Sequence, residues 1–316
     1  MVTVTPTITA RPRRPLDDES NSSPSHLPTK GCMALFSPDR GATGMEATNW
    51  YGGSLLDGKP MKINMKELND HLVGLAHADP AVRRKAISNL TKYSGSEWQD
   101  NPDAVSAAVA AVVNGSGLRA AKCPDETFRA EAAKALGNIG LLSPAVLPEL
   151  LRLLETDPDA GVRTEAARTL GKIGEGAAAA GRAIAAVLRD TSGGDALRVA
   201  AAWALARVAP SAPGTAVALR AAANDRSGHV GVCAAEALWK VSHESSGAVL
   251  ALAARLDDPA VRHAAVHALY RIGPEAKGAL PALLAAAKTK DRLFQQSVVM
   301  ALRKIDPEAT AKAGLK

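Results

Sequence analysis

The sequence predicts an all-α solenoid, and three observations carry that expectation. Apolar residues make up 47% of the chain and aromatics only 3%, so alanine, the best helix former, supplies most of the buried faces. Leucines recur at positions 90, 136, 170, 205, 238, 269 and 302, at intervals of 46, 34, 35, 33, 31 and 33 residues. Around each anchor leucine the same offsets stay apolar, and that spacing is the face of a helix.

The chain opens on a segment that these rules exclude from the fold. Residues 1–60 are rich in Pro, Ser, Thr, Gly and Asp, as in "PLDDESNSSPSHLPTKG", with no apolar period. Such a stretch cannot bury enough surface to offset the entropy of ordering it, so it reads as a disordered tail. Only "NWYGG" (Asn49–Gly53) has the character of a docking motif. Met33, Met45 and Met65 leave open whether the first 44 residues belong to the functional protein. Residues 61–316 form the expected repeat domain.

Within that domain the columns hold register. Eight before the anchor stand Val82, Phe128, Val162, Leu197, Val230, Val261 and Phe294. Four before it stand Ala86, Ala132, Ala166, Ala201, Ala234, Ala265 and Val298. Three after it stand Tyr93, Ile139, Ile173, Val208, Val241, Ile272 and Ile305. The anchored helix starts at an acid eleven residues upstream: Asp79, Asp125, Asp159, Asp258 and Asp291. Asp79 and Asp258 each precede a proline, which suits a cap followed by a first turn that misses no amide. Gly140, Gly174 and Gly273 are expected as left-handed caps at the other end. A second helix lies upstream in each repeat, as in "AVLPELLRLLETD" and "GALPALLAAAKTKD". The long first interval carries an inserted loop, Asn114–Pro124. One helix pair cannot bury its stripe alone, but stacked pairs share a continuous core.

The pattern D-P-x-V-R-x-x-A-x-x-A-L-x-x-I-G, complete at Asp258–Gly273, resembles the HEAT repeat in its short bacterial, phycobilin-lyase-like form. The resemblance covers about residues 64–306 and implies an α-solenoid of about seven stacked hairpins, its downstream helices lining the concave face. The fold hosts many functions, so the resemblance leaves function open. It also implies that Arg83, Arg129, Arg163, Arg198 and Arg262, seven before the anchor, join an Arg–Asp ladder between repeats. Each arginine lies near a helix start, where the dipole disfavours a cation, and the acid at −11, one turn away, is its expected partner. Gly231 and Gln295 break the column, which predicts looser stacking there.

Opposite the buried stripe, the +2 column reads Lys92, Asn138, Lys172, Arg207, Lys240, Arg271 and Lys304, and the −2 column Ser88, Lys134, Arg168, Trp203, Glu236, His267 and Met300. Lysines near helix C-termini also complement the dipole and aid solubility. As a surface, however, the two columns form a basic row, with Trp203 expected as an exposed anchor and Trp239 as packed between repeats. The expected partner-binding residues are Lys92, Lys134, Arg168, Lys172, Trp203, Arg207, Lys240, His267, Arg271 and Lys304. The net charge of +6 falls wholly in residues 61–316 and suits an acidic partner or nucleic acid.

Chemistry is not visible in the sequence. His263 and His267 sit at i and i+4, but no HExxH and no third ligand accompany them. The His-Glu dipeptide His243-Glu244 stands in a predicted loop. No phosphate-binding loop or nucleophile set appears. Cys32, Cys123 and Cys233 are too scattered for a disulfide frame and read as free thiols of a reducing compartment, with Cys233 as a packing residue. No apolar stretch nears the roughly 20 residues that cross a bilayer, and the N-terminus has no secretory h-region. The expectation is a cytoplasmic monomer without cofactor, metal, catalytic residue or membrane partner: a non-catalytic scaffold binding an acidic protein on its concave, basic face. The alternatives are a nucleic-acid-binding protein resembling the alkylpurine DNA glycosylases and an accessory subunit of a lyase-type enzyme.

Overall fold

The structure, a computed structural model, describes residues 63–115, 125–242 and 245–315. The tail, the "NWYGG" stretch, most of the inserted loop, His243-Glu244, Cys32 and Cys123 lie outside the described residues. The described residues form helices joined by short turns, with no strand among them.

Seven anchored helices form one layer: α2 (Pro80–Leu90), α5 (Glu126–Ile139), α7 (Ala160–Ile173), α9 (Asp195–Val208), α11 (Gly228–Ser242), α13 (Arg262–Ile272) and α15 (Arg292–Ile305). The upstream layer comprises α1 (Met65–Leu75), α4 (Pro102–Ala110), α6 (Val146–Thr156), α8 (Gly181–Arg189), α10 (Pro213–Ala223), α12 (Ser245–Ala253) and α14 (Leu280–Ala286). A short α3 (Gly95–Gln99) precedes α4, and α16 (Pro307–Lys312) packs on α15 at the far end. Each anchored helix packs on the next, and α11 and α13 share the sparsest contact in that row. Upstream helices pack on their downstream partners, except that α4 lies against α1.

The core is the predicted one. All seven anchor leucines and the −4 residues are buried, and one apolar cluster runs from Ile63 to Ile305. The −8 residues are buried too, except Val82 in the first described repeat. The helix signals also act largely as read. Asp79, Asp125, Asp159 and Asp291 accept hydrogen bonds from first-turn amides. Asp258 accepts from the Ala260 amide, but regular helix starts only at Arg262. Gly140, Gly174 and Gly273 have φ of 65°, 72° and 72°. Their ψ values of −147°, −141° and −136° place them beyond the left-handed helical region, so the chain passes straight into a 3₁₀ turn.

The arginine column is where the structure corrects the sequence reading. The acids at −11 are occupied as caps, and the arginines reach elsewhere. Arg129 forms two hydrogen bonds to Asp157 of the next repeat, Nε–Oδ2 at 2.8 Å and Nη2–Oδ1 at 3.0 Å. Arg198 pairs in the same way with Asp225, and Arg262 reaches Asp291 at 2.7 Å. Arg83 and Arg163 instead donate to loop carbonyls of their own repeats, His77 and Ala78, and Asp157 and Pro158. The ladder therefore joins repeats, but through the following repeat's acid. That geometry holds two buried charges and gives each a hydrogen-bonding partner. Cys233, buried in α11, is disulfide-bonded, which corrects the reading of a free thiol at that position.

Candidate partner-binding surface

The surface opposite the core is built by the −2 and +2 columns of successive anchored helices. Because those helices touch one another in order, the columns become neighbouring rows. What the sequence left open is how far these side chains are free.

In the central repeats they are engaged with each other. Trp203 is only 8% exposed, so the expected exposed anchor is corrected: its indole packs against α7 at Gly171. A Cβ added at Gly171 would stand 2.4 Å from Trp203 Cζ3, so the missing side chain at 171 is what admits the ring. Arg207 lies over the ring, its guanidinium carbon 5.1 Å from the centroid, while its Nε donates to the Gly171 carbonyl at 2.7 Å. One repeat on, Arg271 forms an ion pair with Glu236, a carboxylate 6% exposed. Burial pushes the Glu236 carboxyl above its ordinary range, with Arg271 and Lys240 pulling the other way. Lys304 places its Nζ 4.2 Å from the centre of the Tyr270 ring. Asn138 donates to the Thr91 carbonyl at 2.7 Å. The +2 side chain thus repeatedly reaches back to the preceding repeat. The column works as a stacking latch as well as a basic row. Opposite charges at −2 and +2 of adjacent repeats, Glu236 and Arg271, were the signal in the sequence.

The lysines of the row reach solvent even so: Lys92, Lys172, Lys240 and Lys304 are exposed. Lys92 reaches Asn89 Oδ1 at 2.7 Å. Lys134 and Arg168 pair with Glu131 and Glu165 three residues earlier, at 2.7 and 2.6 Å. Surface pairs of this kind contribute little and exchange readily. Arg168 also borders a depression of about 430 Å³ between the starts of α7 and α9, beside Thr164, Glu165 and Asp195. His267 is exposed, and desolvation, then the charges of Arg271 and Lys304, lowers its pKa. His263 packs edge-on to Phe294, ring centroids 5.1 Å apart. Trp239 is half-buried and donates its indole N–H to Glu275 of the next repeat at 3.1 Å. Among the described residues no group of three or more His, Cys, Asp or Glu side chains is arranged to hold a metal ion. No helix among them is long and apolar enough to cross a membrane.

A stack of helical hairpins with a continuous core and inter-repeat ion pairs defines an α-solenoid repeat protein. The family described as HEAT repeats matches residues 115–206 and 248–315, and the chain belongs to that family. No curated protein matches the sequence. Among solved structures, an engineered protein is 22% identical with a TM-score of 0.45, covering 78% of this chain and 72% of that one. A designed armadillo repeat protein in complex with the peptide (KR)4 is 19% identical with a TM-score of 0.40, covering 76% and 100%. Kap121p is 11% identical with a TM-score of 0.46, covering 76% of this chain and 33% of that one.

Proposed function

We propose that the chain is a non-catalytic protein-interaction scaffold, a monomer whose anchored-helix face receives an acidic partner. The observation that carries this reading is the run of Lys172, Arg207, Lys240, Arg271 and Lys304 on successive packed helices, one cation per repeat. With helices ~8–10 Å apart, such a run sets a positive field along a rigid wall and steers an acidic surface onto it. The anchored helices pack on one another more extensively than the upstream helices do, which supports the anchored layer as the inner side of the curve. The latches add rigidity, so little ordering free energy is lost on binding.

Nucleic acid is the less favoured ligand, because the tryptophan that could have stacked on a base is enclosed between Gly171 and Arg207. Exposed aromatics are what a base-reading groove supplies. The test is affinity capture with the intact chain and with a Lys172→Glu/Lys240→Glu variant. Both side chains are exposed, and thermal unfolding of the variant checks that the fold is kept. Loss of an acidic protein partner from the variant is expected. Identical partners on both forms would remove the assignment of this face.

A further inference from the structure

Apart from the enclosed Trp203, the columns nine and two residues before the anchor carry small, polar or charged residues until the last repeat. There α15 presents Leu293, 72% exposed, and Met300, 58% exposed. They stand at −9 and −2, seven residues apart, so they lie on one line about two turns, or ~10 Å, long. Among the described residues those two columns hold no other exposed large aliphatic side chain. Single exposed hydrophobes need no explanation, but an aligned pair in the middle of an otherwise polar wall does. Helix geometry sets Arg292 and Arg303 on one side of the line and Lys304 on the other, all exposed. The nearest acid on the helix, Asp291, is taken up by the Leu293 and Phe294 amides and by Arg262.

We propose that this end of the wall is the docking point for an acidic amphipathic helix of the partner, one that sets two large apolar side chains two turns apart onto Leu293 and Met300 while its carboxylates face Arg292, Arg303 and Lys304. The proposal rests on the scaffold reading and narrows it to the last repeat and to one kind of ligand. Charge complementarity selects this occupant. A second copy of the chain would bring the same three cations against themselves. A nucleic acid would satisfy the cations but leave both aliphatic side chains with nothing apolar to cover them. Helix-in-groove recognition uses apolar anchors at this spacing, with charges at the rim.

The experiment is fluorescence anisotropy with the full chain and a labelled synthetic helix rich in glutamate that carries two leucines two turns apart. A matched peptide with alanine at both leucines keeps the charge. Binding of the leucine peptide about tenfold or more tighter than the alanine peptide is expected, since each buried aliphatic contact approaches the ~1.4 kcal/mol of a decade. Leu293→Ala/Met300→Ala should remove that preference, and Leu293→Met/Met300→Leu should keep it. Equal binding of the two peptides, or binding of neither, overturns the proposal. If the alanine pair leaves binding intact while Lys172→Glu/Lys240→Glu abolishes it, the basic wall survives and this docking point does not. Sedimentation showing self-association that the alanine pair abolishes would assign the patch to a second copy instead.

Discussion

Arg255, in the turn after α12, fills the space that a side chain at position 231 would occupy. An ideal Cβ on Gly231 would lie 2.7 Å from Arg255 Nη2. The same nitrogen donates to the Asp225 carbonyl, the position thirteen before the anchor. In other repeats that carbonyl, at His77 and Asp157, is bonded by the column's own Arg83 and Arg163. The gap left by glycine in the arginine column is thus closed from the following repeat, across the junction where α11 and α13 touch least.

Arg255→Ala is therefore expected to lower stability by about 1–2 kcal/mol, the net worth of a charged hydrogen bond. Gly231→Ala should cost stability in the native background and less beside Arg255→Ala, where the Ala223 carbonyl, 3.1 Å from the new methyl, remains. A double-mutant cycle by urea denaturation measures the coupling, and simple additivity would count against the exchange.

The Arg198–Asp225 pair sets an acid limit on stability. The hydrogen bond from Arg198 holds the Asp225 carboxyl below the ordinary aspartate range, against the effect of burial and with help from the Ser227 amide. A depressed folded pKa means that the unfolded chain binds the proton more readily. The contribution is full above the unfolded value near ~3.9 and is lost as pH falls through the folded one. Asp225→Ala leaves Arg198, 4% exposed, without its carboxylate and should cost about 2–4 kcal/mol at neutral pH. Asp225→Asn should flatten the acid branch of the stability profile, which denaturation between pH 3 and 7 records.

Trp203→Ala should act first on stability, by about 3–5 kcal/mol for a buried aromatic, rather than on binding alone. Gly171→Ala tests the same packing from the other side. Its methyl would meet the indole at 2.4 Å and the Ala204 Cα at 2.9 Å, which only a backbone shift relieves, at about 1–3 kcal/mol. Thermal unfolding of both variants is the measurement, and a wild-type midpoint for Gly171→Ala would contradict the enclosure of Trp203.

Removing Arg271 should expose the cost of burying Glu236. Arg271→Ala leaves the buried carboxylate without its ion-pair partner and with only the Lys240 charge, with an expected loss of about 2–4 kcal/mol. Glu236 already has a raised pKa, and losing its cationic neighbour raises it further. A raised folded pKa favours the folded state at acid pH and loses that advantage as pH rises through it. The variant should therefore lose less at pH 5 than at pH 8. A pH-independent loss would argue against a buried charge.

The sequence by itself determined the helices, their stacking order, the buried columns and most of the caps, because these depend on spacing within one helix and on side chains bonding amides a few residues away. The same spacing placed Lys172, Arg207, Lys240, Arg271 and Lys304 in one column. Only the tertiary structure decided which partner each arginine takes, that Trp203 is enclosed while Leu293 and Met300 stand open, and that Arg255 serves a glycine in the preceding repeat. The reason is physical: those outcomes depend on the rise and rotation from one hairpin to the next. A change of a few ångströms there moves a guanidinium from the acid on its own helix to the acid on its neighbour.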